Sequence, residues 1–465
     1  MSSRRNKGGL LARVNFPLYT LQMLTSRHIL VGGGGGSSKT GIANGFVNYN
    51  MSFKCDYLKT SLLLQEIFEL LHNGVHFVAE EVTRHETGPS VVMNCASHNN
   101  GKKTWIVAGQ ESHCQLYNVN PKVVTSENGE LIKGPTAVVN KDGLRHRRNS
   151  EKVEDVHSPM ERIEEIKDDN SNVKSKKLQL ILKPADSVQT AFGITLISNE
   201  NFLAYRNGEP LQRVVRVSLQ GTIMATGSTD GRVRLWKFPQ LHKLYDLDAH
   251  GKEIDDLDFS PDGNLLVSIA KDGKAFLWNL NDGTRNKELT WTVPDGVKYM
   301  YKRCRFRKLA ENKTKLDLFV LSNAVAAKNP SFLQLWDVHT GAITKSASYK
   351  EALSALAVSD DGKFVAVGTM FSGSVDIFVA FSLRKALHVP GAHSMFVTGL
   401  EFLPTKLDGP AITSNTETAV VSISVDNRIC IHSIPFRHTL PFWFVIILIV
   451  LCICGAFIFC SYLGI

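Results

Sequence analysis

Cysteine is scarce in this 465-residue chain: there are eight, at positions 55, 95, 114, 304, 430, 452, 454 and 460, with no CxxC pair and no His–Cys cluster at zinc-ligand spacing. That excludes a disulfide scaffold or zinc module and suits a reducing compartment. Catalytic signatures are missing too. There is no GxSxG elbow, no HExxH, no kinase set and no dinucleotide fingerprint between a strand and a helix. Fifteen His and 44 carboxylates supply only accidental pairs, so no catalytic residue is assigned and no covalent chemistry is expected. The first residues, Met1 to Lys7, are basic but lack a long apolar run, which argues against a signal peptide. The formal charge of +9 is compatible with an acidic partner or a membrane surface and too small to argue for nucleic acid.

Charge is wholly absent between Leu440 and Leu463. A bilayer core needs roughly 20 apolar residues in a helix, and this run meets the length. Trp443 and Tyr462 stand near its two ends as interfacial aromatics do, and Arg437 and His438 precede it. The expectation is a transmembrane helix over 437–463, a lumenal end at 464–465, and everything before it in the cytosol. Cys452, Cys454 and Cys460 then serve as apolar filler.

The most unusual stretch is the five consecutive glycines Gly32 to Gly36, followed by Ser37, Ser38, Lys39, Thr40, Gly41 and Ile42. A phosphate loop needs glycine directly before Lys-Thr, and position 38 is serine. Asn44-Gly45-Phe46-Val47 then reads as a turn and a strand, so no helix N-terminus is present to hold a phosphate. What is left is either a flexible hairpin tip or a loop that acts on a partner through bare backbone.

Downstream the pattern repeats. Ala249-His250 opens a unit whose apolar residues alternate through Ile254 to Phe259 and Leu265 to Ile269, punctuated by Asp262-Gly263 and Asp272-Gly273 and ending at Trp278. This resembles a WD repeat, one four-stranded propeller blade. The resemblance implies that His250, Ser268, Asp272 and Trp278 form a structural hydrogen-bonded set. Fainter units fall at 27–49, 105–118, 214–236, 319–337, 352–378 and 396–431, giving seven blades in all. Phe16 to Tyr19 is the expected strand that completes the last blade and closes the ring, because an open sheet edge invites aggregation. The domain reading is a basic tail over 1–12 and an all-β, seven-bladed propeller over 13–436. Lys141 to Lys177 carries ten Lys/Arg and nine Asp/Glu with few large apolar residues, so a charged disordered insertion is expected over 120–186. Arg303, Arg305 and Arg307 alternate with Cys304 and Phe306. They read as the wet face of an outer strand, or as a patch for anionic lipid or an acidic partner.

A glycine loop ending Lys39-Thr40-Gly41 in the first blade, degenerate WD repeats and one C-terminal span together resemble a known family. It is the endoplasmic-reticulum guanine-nucleotide exchange factors for the Sar-type small GTPase, called prolactin regulatory element-binding protein in animals. The resemblance implies a propeller facing the cytosol that starts COPII-type coat assembly and ER-to-Golgi transport. It also implies a first-blade loop, Gly32 to Ile42, that contacts the GTPase and holds a potassium ion through its backbone. Fungal relatives carry a lumenal domain after the span, which has no counterpart before Ile465. Two other readings compete: a non-catalytic WD scaffold at the membrane, and a DNA-binding regulator, against which the anchor argues.

Overall fold

The computed structural model describes residues 9–25, 27–35, 44–55, 75–88, 90–126, 175–192, 195–197, 203–205, 210–293, 296–307, 316–405, 416–435 and 442–463. Seven four-stranded antiparallel sheets follow one another along the chain. Their first strands are Leu18–Met23, Val92–Asn99, Gln212–Val217, Ile254–Phe259, Tyr299–Arg307, Leu353–Val358 and Val397–Phe402. Each of these packs against the first strand of the next sheet, and the seventh packs against the first. They form the inner wall of a closed seven-bladed propeller. A short extra hairpin, Thr195–Ile197 with Leu203–Tyr205, lies between blades two and three.

Tight turns make the blades possible. Gly263 and Gly273 have φ of 78° and 82°, left-handed values that carry no penalty for glycine. The Asp262 carboxylate accepts from Ser260 Oγ at 2.5 Å and from Asn264 N at 3.3 Å, closing the turn between the first two strands of blade four. The apolar faces then stack blade on blade. Each buried cluster draws on two neighbours: one joins Leu30 and Phe46 of the first blade to Ile106 and Leu182 of the second, and another joins Val31 and Val47 to Val421 and Ile431 of the seventh. The core is thus a ring of inter-blade layers around a central channel.

Antiparallel alternation sorts the loops. Turns joining second to third strands, and linkers from one blade to the next, emerge on one face, here called the upper. The remaining turns emerge on the lower face. The glycine stretch is the second-to-third-strand turn of blade one and belongs to the upper face. The third strand of blade seven, Arg428–Pro435, runs out on the lower face.

Several expectations need correction. The strand that closes the ring is Gly9–Arg13, which pairs with Arg428–Pro435 (Gly9 opposite Ile431, Arg13 opposite Arg428). Phe16 and Pro17 form the linker, and Leu18–Met23 is the inner strand of blade one. The propeller therefore begins inside the supposed basic tail over 1–12. The supposed insertion over 120–186 is ordered at both margins: His113–Ser126 and Ser175–Gln189 form one long ladder, from His113 opposite Gln189 to Ser126 opposite Ser175. Residues 127–174, the bulk of that charged segment, lie outside the described residues. Tyr299–Arg307 is an inner strand, so the alternating arginines do not sit on an outer edge.

A C-terminal helix, α1, spans Phe442–Leu463, with no acidic residue in its first turn and no basic residue in its last. Side chains are described for only part of it, at 446–447, 449–456 and 462, and among the described residues no helix is long and apolar enough to cross a membrane. Residues 437–441 and 464–465, the remainder of the expected span and lumenal end, lie outside the described residues.

Candidate functional site: the first-blade glycine stem

The second strand of blade one, His28–Gly33, reads His-Ile-Leu-Val-Gly-Gly and is buried along its whole length. The strand Gly45–Cys55 returns beside it, with Gly32 opposite Phe46 and Gly33 opposite Gly45. Glycine is required here by crowding. A Cβ on Gly33 would sit 1.9 Å from the Pro17 carbonyl oxygen, one on Gly45 2.2 Å from the His85 carbonyl oxygen, and one on Gly32 2.9 Å from Thr20 Cγ2. Gly34 has φ of 141° and its Cβ would fall 2.1 Å from Asn44 Oδ1. Its N–H donates to Pro17 O at 3.1 Å, while Asn44 O accepts from Thr87 N at 3.1 Å and Asn44 Nδ2 donates to Gly88 O at 3.0 Å. Four glycines pinch the two strands between their neighbours, and Asn44 bolts the return strand to the end of the fourth.

Gly32, Gly33 and Gly34 are thus buried stem, and Gly35 is half-buried where the loop leaves it. Gly36, Ser37, Ser38, Lys39, Thr40, Gly41 and Ile42 lie outside the described residues. The third strand begins at Gly45, which agrees with the turn-then-strand reading and removes the helix a phosphate loop would need. For a hard cation the stem fits in one respect: Gly34 faces Asn44 with bare backbone in a cradle that any Cβ would fill. Carbonyls beyond the ladder begin at Gly34. Among the described residues no group of His, Cys, Asp and Glu is arranged to hold a metal, so an ion here would depend on backbone oxygens.

The stem packs among apolar side chains and aromatic rings. Phe46 meets the Tyr117 ring edge-on at 5.8 Å, and His85 meets the same ring at 5.3 Å. Burial, with Arg27 beside it, pushes His28 down to about 4, so it is neutral at physiological pH. Burial, reinforced by Glu81 and opposed by Arg84, pushes the Tyr49 phenol up to about 12.

The WD set assembles as the resemblance implied. His250 Nδ1 lies 3.0 Å from Asp272 Oδ2, His250 Nε2 lies 2.9 Å from Ser268 Oγ, and Trp278 Nε1 donates to the same Oγ at 2.9 Å. The His250 side chain is fully covered within this set. A second set escaped the sequence reading: His393 Nδ1 lies 3.2 Å from Asp426 Oδ1, and His393 Nε2 lies 2.8 Å from Ser422 Oγ. Ser422 Oγ also meets His432 Nε2 at 2.8 Å. The unit itself was read at 396–431 and the Ala-His opening was visible at Ala392-His393, but histidine at 432 in the tryptophan position concealed the hydrogen-bonded set.

The basic run faces the central channel, a cavity of about 250 Å³ lined by Arg213, Arg216, Arg303, Arg305, Asp256 and Glu401 among others. Asp256 accepts from Arg216 at 3.3 Å and Arg305 at 2.6 Å, and Arg303 donates to the Asp255 carbonyl at 3.2 Å. Arg307 pairs with Asp317 at 3.0 Å. Arg305 and Arg307 are thus paired with carboxylates, and Arg303 and Arg305 line the inner cavity, not an outer face, which removes the lipid-patch reading. Burial, opposed by Arg216, pushes both Asp258 and Glu401 up to about 7.

Seven four-stranded blades in a closed ring, with the His250–Ser268–Asp272–Trp278 set in blade four, define a WD-type β-propeller. The profile described as "WD domain, G-beta repeat" matches residues 212–237 and 241–279. Over 455 residues, 96% of this chain and 95% of the relative, the sequence is 32% identical to "Guanine nucleotide-exchange factor SEC12" of Mus musculus. It is 31% identical to the Rattus norvegicus protein of the same name over 96% of the chain and 95% of the relative. It is also 30% identical to "SEC12-like protein 1" of Arabidopsis thaliana over 46% of the chain and 52% of the relative. The chain belongs to the SEC12 guanine nucleotide-exchange factor family.

Proposed function

We propose that this chain is a guanine-nucleotide exchange factor for a Sar-type small GTPase at the endoplasmic-reticulum membrane, starting COPII-type coat assembly and ER-to-Golgi transport. The observation that carries the reading is the match to SEC12 exchange factors over nearly the whole chain. The glycine stem supports it, because it supplies a rigid base for a loop with little side-chain bulk. Gly32 to Gly34 set the direction of that loop, and Gly35 to Ile42 reach the GTPase. Lys39 meets an acidic group there and Ile42 an apolar one. Backbone carbonyls of the same loop would hold a potassium ion, which would offset the charge of the converging oxygens and lower the ordering cost of docking. The anchor is read from the sequence, as the run without charge from Leu440 to Leu463. The strand that precedes α1 in the chain, Arg428–Pro435, runs out on the lower face, opposite the glycine stem.

Exchange needs no bond making. The factor binds the nucleotide-free GTPase more tightly than the GDP form, and linkage weakens GDP by the same ratio. A typical coupling of about 1–3 kcal/mol is too small for rapid release, so several contacts act together. The scaffold and DNA-binding readings are not favoured by any comparable observation.

The test is GDP release from a Sar-type GTPase by the full-length chain in detergent micelles, in potassium and then sodium buffer, beside Lys39→Ala. Potassium-dependent acceleration that Lys39→Ala reduces is the expected result. Equal acceleration in both buffers removes the ion. No acceleration by a folded protein in either buffer overturns the function.

A further inference from the structure

The upper face carries an apolar patch that the glycine loop does not account for. Phe371, in the turn between the second and third strands of blade six, is 72% exposed, and Met395 and Phe396, in the linker to blade seven, are 49% and 37% exposed. Large apolar side chains held in water are costly unless something covers them. The two segments touch: a Cβ on Gly373 would lie 2.1 Å from His393 O and 2.8 Å from Met395 O.

Both are braced. The Glu351 carboxylate accepts from Phe371 N at 3.1 Å, Ser372 N at 2.9 Å and Ser372 Oγ at 2.6 Å. The Asp426 carboxylate accepts from Ser394 N at 3.0 Å and lies against His393. The rings are presented by turns that are already ordered, which removes most of the entropy cost of docking.

The patch is continuous with the glycine stem through the rim of blade seven. Asp426 belongs to the turn that contains Asn427, whose carbonyl accepts from Val14 N at 3.0 Å. Three residues on, Pro17 O accepts from Gly34 N at 3.1 Å. One hydrogen-bonded rim therefore runs from Phe371 to the base of the loop, with only blade seven between them.

We propose that Phe371, Met395 and Phe396 form a second contact for the GTPase that the glycine loop engages, an apolar anchor set across blade seven from the loop. This rests on the exchange-factor reading. The anchor holds the GTPase in both nucleotide states, so it sets affinity, whereas the loop acts on the nucleotide-binding side and sets the rate of release.

The experiment measures GDP-release rate against concentration of the full-length exchange factor in micelles. The proteins compared are the native chain, Phe371→Asp with Met395→Asp, Lys39→Ala, and Leu219→Asp, an exposed leucine on the lower face. The patch variant is expected to raise the half-saturating concentration about tenfold or more while keeping the saturating rate. Lys39→Ala is expected to lower the saturating rate, and Leu219→Asp to behave as native. A patch variant indistinguishable from Leu219→Asp overturns the anchor while leaving the exchange function intact. A native chain without exchange activity overturns both.

Discussion

Replacing Gly33 with alanine adds one methyl group to a place where the structure has none to spare. The new Cβ would stand 1.9 Å from the Pro17 carbonyl oxygen. An ordinary carbon–oxygen contact is roughly 3.3 Å or more, so strand and linker must separate by more than 1 Å. The same carbonyl receives the Gly34 N–H at 3.1 Å, and that bond is lost when the linker moves. Overpacking of this kind costs about 1–3 kcal/mol and the hydrogen bond about 1 kcal/mol more, giving a destabilisation of about 2–4 kcal/mol. Urea unfolding followed by tryptophan fluorescence reads this as a midpoint lower by roughly 0.5–1 M at unchanged slope. Gly9→Ala is the matched control, since its Cβ would meet nothing within 4 Å; it should stay within about 0.5 kcal/mol of native. Gly33→Ala should also slow nucleotide release by tilting the stem on which the loop stands. Equal midpoints for the two variants, with equal exchange rates, would refute the claim that the loop is seated on Pro17.

Ser268→Ala strands both His250 Nε2 and Trp278 Nε1 in a buried site. It should destabilise blade four by about 2–4 kcal/mol in the same urea assay. Glu401→Gln tests the channel. Burial raises the folded-state pKa of Glu401 to about 7, so above that pH the native protein bears the cost of a buried carboxylate. As pH falls through 7 towards its ordinary value, the folded state takes up a proton that the unfolded state does not, and the cost disappears. Glu401→Gln should therefore exceed native stability by roughly 1–3 kcal/mol at pH 8, with the advantage shrinking towards pH 5. A difference that does not vary with pH would show that Glu401 is not held near neutrality.

Blade four was legible because every local signal agreed: alternating apolar residues, two Asp-Gly turns, and the His250, Ser268, Asp272 and Trp278 spacing. The closing strand was misplaced because Gly9-Leu-Leu-Ala-Arg13 is short and adjoins basic residues, while Phe16-Pro-Leu-Tyr19 looks more strand-like. Only the pairing of Gly9 with Ile431 decides between them. The arginines at 303, 305 and 307 misled for a similar reason. Arg305 is paired by Asp256 of the preceding blade and Arg307 by Asp317 of its own, while Arg303 reaches the Asp255 backbone carbonyl, partners that periodicity along one strand cannot reveal. The glycine run was seen at once, but its division of labour was not. That Gly32 to Gly34 are packing residues follows from carbonyls and side chains brought up by Pro17, Thr20 and Asn44.

The strand Arg428–Pro435, which leads towards the C-terminal helix, is gripped on both edges: by Thr416–Ser424 of its own blade and by Gly9–Arg13 from the opposite end of the chain. Ladder hydrogen bonds lie across the strand axis. A force pulling the helix away along that axis loads both ladders in shear, so many bonds bear it together and none can be peeled open one at a time. Any traction arriving from the helix side is therefore met by the ring's clasp itself.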